Sequence, residues 1–345
     1  MNQNRIVLFA KKPGITSFSS LYTIKRAFGT TKVGHTGTLD SFASGLLVVC
    51  VGALTRLAGK ITEFNKTYQA VIKFGEETDT LECTGNVVRK APLPAEEELF
   101  CAVKKFTGKI MQIPPVFSAI HIDGKRSSDL ARRGETAQIP ARQVEVFDAK
   151  ILEILVDSEK RVSACRIEFD VSKGTYIRSL ARDIAAECNS AAYLAGLLRT
   201  KVGNFELKDA AGFSFLEEFN IENALLTAEK TKEIEKIAAE NRKNKIHAKK
   251  EILPEELALE KECLSCSVPM SKNLAVQCGF GCLTLAEGKA NLFENGAKLQ
   301  SDMFTVSPFS IKEQYAAVFT EAEDFKGLLQ KNEKGYFRYA FVAGK

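Results

Sequence analysis

Hydrophobic residues along this chain change period several times, and each change marks an element. Ile6-Val7-Leu8-Phe9-Ala10 is a continuous apolar run ending on Lys11-Lys12-Pro13-Gly14, which predicts a strand closed by a turn. Leu21, Ile24 and Phe28 then recur at helical spacing, with Ser17 placed as N-cap and Gly29 as terminator, so a helix is expected over 18–28. Leu46-Leu47-Val48-Val49-Cys50-Val51 is again unbroken and reads as a buried strand. From Thr67 to Gly75 the period is two, with Tyr68, Ala70, Ile72 and Phe74 on one side and Gln69, Val71 and Lys73 on the other, a half-buried strand. Pro94 opens a helix with Glu96, Glu97 and Glu98 in its first turn and Lys104 and Lys105 in its last, an order that complements the helix dipole. Leu99, Val103 and Phe106 form its buried stripe, and Gly108 is its expected end. Cys165, Ile167, Phe169 and Val171 alternate with Arg166, Glu168 and Asp170 before Ser172-Lys173-Gly174-Thr175-Tyr176-Ile177-Arg178 and a helix through Cys188.

Strands and helices thus mix without a strict repeat. The expected class is α+β, a mixed, largely antiparallel central sheet with flanking helices. Neither GxGxxG nor a P-loop occurs, so no nucleotide cofactor is expected. Composition shifts after about Phe219: residues 222–262 are rich in Lys, Glu and Ala, and Thr231 to Lys250 reads as an exposed helix or partly ordered linker. Leu283-Thr284-Leu285, Ala316-Ala317-Val318-Phe319 and Tyr339-Ala340-Phe341-Val342 predict short strands in a small barrel. The organisation read from this is a first domain over 1–220 with a basic insertion near 120–146, a charged helical linker over 221–262, and a small C-terminal β-rich domain over 263–345.

Composition narrows the class without naming an activity. With 345 residues, 45% apolar and 26% charged, the chain has the mix of a soluble two-domain protein. A formal charge of +5 is too mild to demand a polyanionic partner, so that signal must be local. It is found where Lys125, Arg126, Arg132, Arg133 and Arg142 stand against Asp129 and Glu135, with Gly124 and Gly134 among them; this reads as a basic arm or, equally, as a solvated hairpin. The nine cysteines are odd in number and partly inside apolar runs, which points to reduced thiols acting as small hydrophobes. No apolar run reaches the roughly 18 residues of a membrane span, and a cytoplasmic protein without a membrane partner is expected.

The candidate chemistry centres on Gly34-His35-Thr36-Gly37-Thr38-Leu39-Asp40-Ser41-Phe42-Ala43-Ser44-Gly45, which sets one acid at the mouth of a buried strand. Alone, Gly-Thr-Leu-Asp would be a turn aspartate capping a backbone amide. The whole block resembles the signature of the TruB family of tRNA pseudouridine synthases, Gly-His-Thr-Gly-Thr-Leu-Asp-Pro-Leu-Ala-Thr-Gly. The likeness continues through Lys12-Pro13-Gly14-Ile15-Thr16-Ser17, Gly52-Ala53-Leu54-Thr55-Arg56, Lys66-Thr67-Tyr68, Thr78-Asp79-Thr80 with Gly85, and Gln112-Ile113-Pro114-Pro115-Val116-Phe117-Ser118-Ala119. It runs on in Asp123-Gly124-Lys125-Arg126, Leu130-Ala131-Arg132-Arg133-Gly134, Ser172-Lys173-Gly174-Thr175-Tyr176-Ile177-Arg178, Leu198-Arg199 and Val202-Gly203-Asn204-Phe205. Departures are Ser41-Phe42 for Pro-Leu, Arg56 for lysine, Val171 for cysteine and Ser127-Ser128 for Leu-Tyr.

The resemblance implies a stand-alone bacterial-type enzyme that isomerises the T-loop uridine at position 55 of tRNA, with Asp40 as the reacting carboxylate. It implies that Arg178 pairs with Asp40, that Tyr68 stacks on the uracil and takes part in proton transfer, and that Leu198 gives an apolar wall. By position alone Tyr68 reads equally as strand core. His35 would fill the space left by a flipped base, and Lys12, Arg56, Lys125, Arg126, Arg132 and Arg133 would contact the RNA. No obligate protein partner is expected. Two alternatives stay open: a tRNA-folding chaperone with secondary or lost catalysis, and a guide-RNA-dependent pseudouridine synthase. Cys263-x2-Cys266 and Cys278-x3-Cys282 resemble zinc-ribbon spacing, though the family needs no zinc and no metal is expected. The last hundred residues are read as a divergent PUA-like domain.

Overall fold

A computed structural model describes residues 4–118, 121–122, 125–127, 133, 139–243 and 254–343. Its spine is a ten-stranded sheet. The main path runs Val268–Pro269, Arg5–Lys11, Ser44–Val51, Ala192–Val202, Lys66–Phe74, Val162–Val171, Arg142–Val156 and Gly108–Gln112. Val33–His35 adds beside Ser44–Val51, and Phe205–Glu206 beside Ala192–Val202. Pairing is antiparallel except between Ser44–Val51 and Ala192–Val202, where Leu198 stands opposite Ser44 and Arg199 opposite Gly45. The parallel pair lies inside the sheet, third and fourth on that path, and the Asp40 loop leads into it.

Packing accounts for the two unbroken apolar runs. Ile6, Leu8, Ala10, Leu46, Val48 and Cys50 enter one cluster, while Val7, Phe9, Leu47, Val49 and Val51 enter another on the opposite face. Leu21 and Ile24 of the Ser17–Phe28 helix cover the second cluster together with Cys263. Ile61, Leu274, Phe319 and Phe341 cover the first. A strand buried on both sides has no reason to alternate, and each fully buried Leu, Ile or Phe contributes roughly 1.5–3 kcal/mol. A third cluster gathers Ala70, Ile72, Ile167 and Phe169 with Leu99 and Val103 of the Glu96–Lys105 helix, Leu180 and Ile184 of the Ile177–Glu187 helix, and Ile221, Ala224 and Ala228.

Some expected boundaries move, for local reasons. Thr16 rather than Ser17 caps the first helix, its hydroxyl accepting from the Ser19 amide at 3.0 Å, while Gly29 ends it in the left-handed region as expected. The Glu96–Lys105 helix ends at Phe106, and Gly108 instead opens the next strand at φ +100°. The charged segment after Phe219 carries two helices, Ile221–Lys243 and Pro254–Ser265. The second packs on the first helix of the chain, where Arg26 pairs with Glu256 and Glu260 at 3.0 and 2.6 Å.

The C-terminal strands form an open sheet rather than a barrel, in the order Gly281–Thr284, Tyr315–Phe319, Phe325–Lys331 and Phe337–Val342, with the first pair parallel. Phe325–Lys331 left no apolar run because Lys326, Gln330 and Lys331 interrupt it. Ala317, Phe319, Phe325, Leu328 and Phe341 from one face of this sheet share the cluster that holds Ile6 and Leu46. The other face closes over Leu283, Phe293, Phe304, Val318 and Leu329. Among the described residues no helix is long and apolar enough to cross a membrane.

Candidate active site

The Asp40 loop is held by its backbone before any question of chemistry arises. Ser17, released from capping, donates its hydroxyl to the Leu39 carbonyl at 2.9 Å and accepts from the Leu39 amide at 2.8 Å. The Ser41 carbonyl accepts from the Gly14 amide at 2.9 Å and from Lys11 Nζ at 3.2 Å. Arg199, only 2% exposed, donates Nε to the Leu46 carbonyl at 2.7 Å and Nη2 to the Gly37 carbonyl at 3.1 Å. Gly45 is required where the two central strands meet: its φ is +108°, and a Cβ would lie 2.4 Å from the Arg199 carbonyl oxygen. Buried donors and carbonyls paired in this way give the loop one conformation.

Within that frame the Asp40 carboxylate, 38% exposed, faces Arg178, 6% exposed. Arg178 Nη2 donates to Oδ1 at 3.3 Å, and Nε lies 3.0 Å from Oδ2 but off its N–H direction, a Coulombic contact. The guanidinium also donates to the carbonyls of Thr80 at 3.0 Å and Phe117 at 2.9 Å. Its helix is set by Gln112, which exchanges hydrogen bonds with the backbone of Tyr176 at 3.1 and 2.8 Å, and by Ser179, which donates to the Ile113 carbonyl. A cation so placed orients the half-buried carboxylate.

Three further titratable groups lie on or beside the Asp40 loop. Burial pushes Glu82 up to about 7, opposed by a hydrogen bond from Thr84 and reinforced by the charge of Asp40. Lys11, fully buried at the end of its strand, is pushed down to about 7 by burial, opposed by Asp40 and helped by Arg199. His35 is lowered first by burial and then by Arg199, and its buried Nδ1 has no partner among the described residues. Both effects favour the neutral imidazole over the charged one.

The expected site residues distribute as follows. Tyr68 is half-buried against the cluster that contains Leu39, Phe42 and Ala43, and it stands opposite Arg199 in register. Leu198 packs on the cluster of Leu46 and Val48. Lys12 sits over the Phe215 ring at 4.9 Å, and exposed Arg56 over the Phe341 ring at 5.5 Å. Lys125 and Arg126 form a two-residue strand paired with His121–Ile122. Arg133 is exposed, and Arg132 lies outside the described residues. Cys263 is core beside Val7 and Phe9, Cys278 is core beside Leu46, Cys266 is exposed and Cys282 half-buried. Burial pushes the Cys263 and Cys278 thiols up to about 12, and among the described residues no group of three or more His, Cys, Asp or Glu is placed to hold a metal.

Sequence reading missed Lys11, Ser17, Glu82 and Arg199 as site residues. Lys11 is hidden inside a turn-like Lys-Lys-Pro-Gly, Glu82 lies between the recognised Thr78-Asp79-Thr80 and Gly85, and Ser17 and Arg199 stand inside recognised blocks without a role read for them. The one available signal was Arg199 itself, a cation inside the apolar strand 192–202.

A partly exposed carboxylate paired with a buried guanidinium, on a loop held by backbone hydrogen bonds, suits attack on or stabilisation of an electrophilic sugar carbon. Residues 25–177 match the family model described as TruB family pseudouridylate synthase (N terminal domain). The chain is 48% identical over 246 residues to tRNA pseudouridine synthase B of Treponema denticola, covering 67% of this chain and 69% of that protein. It is 43% identical over 242 residues to the protein of the same name from Borreliella burgdorferi strain ZS7, covering 70% and 83%. Among solved structures, a chain of a Cbf5-Nop10-Gar1 complex superimposes with a TM-score of 0.59 at 20% identity, over 99% of this chain and 85% of that one. That likeness is one of fold, and it extends through the C-terminal sheet.

The protein therefore belongs to the TruB family of pseudouridylate synthases. It is an enzyme that isomerises uridine to pseudouridine.

Proposed function

We propose that the substrate is the T-loop uridine at position 55 of tRNA, and that the chain acts on it without guide RNA, cofactor or protein partner. The observation that carries this reading is the Asp40–Arg178 pair at 3.0 Å on a backbone held by Arg199 and Lys11. Pseudouridine formation breaks the N1–C1′ bond, turns the uracil, joins C5 to C1′, and moves a proton from C5 to N1; nothing is oxidised. Asp40 supplies the nucleophile or the counter-charge at C1′. Arg178 pairs with and orients it, and Tyr68 stacks on the base and moves the proton, whereas Leu198, expected as the apolar wall, packs on the other face of the sheet from Tyr68.

A uridine stacked in a folded loop must be extruded, at a cost of a few kcal/mol. His35, whose charged form burial disfavours and whose buried Nδ1 has no partner among the described residues, takes the place the base leaves. Lys12, Arg56, Lys125, Arg126, Arg132 and Arg133 add phosphate contacts that weaken with salt. The C-terminal sheet extends the RNA-contacting surface as a PUA-like module.

The test is a tRNA transcript incubated with purified protein alone and mapped by the carbodiimide adduct of pseudouridine. Modification at the T-loop uridine, abolished by Asp40→Asn, is the expected result. Tight binding without modification would overturn it in favour of a chaperone or a guide-dependent enzyme.

A further inference from the structure

The Ile221–Lys243 helix buries Ile221, Ala224, Ala228 and Thr231, positions separated by three, four and three residues. The next place on that inward stripe is Glu235. An acid there needs a partner, since burying a carboxylate without one is costly. Its partner is the Ser41 hydroxyl, which donates to Glu235 Oε1 at 3.1 Å across 194 residues of sequence. Ser41 directly follows Asp40, and its carbonyl is already held by Gly14 and Lys11. The family signature has proline at this point, whose ring fixes φ. Serine leaves φ free, and its hydroxyl offers the handle by which a distant element restrains the same peptide. Glu235 also raises Glu82, as Asp40 does, so the three carboxylates share one electrostatic neighbourhood.

We propose that Glu235 is a positioning residue for pseudouridine formation: through Ser41 it fixes the backbone that carries Asp40, making the helix that follows the catalytic sheet part of the active site. This rests on Asp40 being the reacting carboxylate. A displacement of that carboxylate by a fraction of an ångström slows bond making without changing how the RNA is held.

The test uses the full chain, single-turnover rates on a tRNA transcript and Kd by filter binding. Glu235→Ala is expected to slow the single-turnover step about tenfold, with affinity unchanged to within about twofold. Glu235→Gln keeps an acceptor for Ser41 and recovers most of the rate. Ser41→Ala reproduces the loss, and the double variant is no slower than either single one, because both remove the same tie. Ser41→Ala also carries the test if Glu235→Ala loosens the helix. A wild-type rate in Glu235→Ala, an effect confined to Kd, a glutamine variant as slow as alanine, or additive losses would each overturn the proposal. Asp40→Asn runs alongside: full turnover there overturns the reading of Asp40 itself, whereas its inactivity with Glu235→Ala at full rate overturns only the role of Glu235.

Discussion

At the scale of single residues, the site concentrates charges that burial has moved away from their ordinary ranges. Glu82 makes a measurable case. Its folded value of about 7 lies above the ordinary 4.5, so the folded state binds the proton more tightly. Its contribution to stability is therefore full below about pH 4.5 and is lost as pH rises to about 7, by on the order of 3 kcal/mol at about 1.4 kcal/mol per unit. Glu82→Gln should remove that decline, so urea unfolding at pH 5 and pH 7 should show a smaller difference in the variant than in the parent. An unchanged difference would show that Glu82 is not the group responsible. Lys11 has the opposite sign, its lowered value making stability rise with pH above about 7. Neither residue was legible in the sequence, because type and neighbours say nothing of burial: Lys11 and Lys12 are adjacent lysines, and only one is inside. Asp40 and Arg178 were legible only because separate blocks resembling one family implied their pairing, and the structure places them 3.0 Å apart.

At the scale of elements, periodicity served well where one pattern met one environment. The runs Ile6–Ala10 and Leu46–Val51 and the alternation of Cys165–Val171 all became strands. It failed where polar and apolar duties overlap. Phe325–Lys331 escaped notice; the helix expected after Thr231 is present and mostly exposed, but the buried stripe of its first half, Ile221, Ala224, Ala228 and Thr231, was masked by the charges between them. The crossing of Ser44–Val51 with Ala192–Val202 shows what an element-level constraint demands. Gly45→Ala would place a Cβ against the Arg199 backbone at a φ of +108°. Strain of about 1–3 kcal/mol joins a clash that cannot relax without moving Asp40. Lowered thermal stability together with a slower single-turnover rate is expected, and a variant with parental stability and rate would show the close approach to be dispensable.

At the scale of the whole molecule, the C-terminal sheet shares a core with the first strands of the chain. Phe319, Phe325 and Phe341 pack in the cluster of Ile6, Leu46 and Ile61, and Arg56 lies over Phe341. Truncation after residue 262 should strip that face bare, giving a protein that aggregates or unfolds at lower urea rather than a smaller soluble enzyme. Recovery of a soluble fragment with parental unfolding behaviour would refute the shared core. On the role proposed for Asp40, the same connectivity also bears on when the protein becomes an enzyme. The peptide around Asp40 is tied to Gly14, to Arg178, to Arg199 and to Glu235, and the first strand awaits Val268. As the chain leaves the ribosome from its N-terminus, the carboxylate emerges early but stays without its full set of ties until the distant segments have followed and closed long loops. Catalytic competence then belongs among the last properties to appear in folding, because it waits on contacts made between segments far apart in the chain.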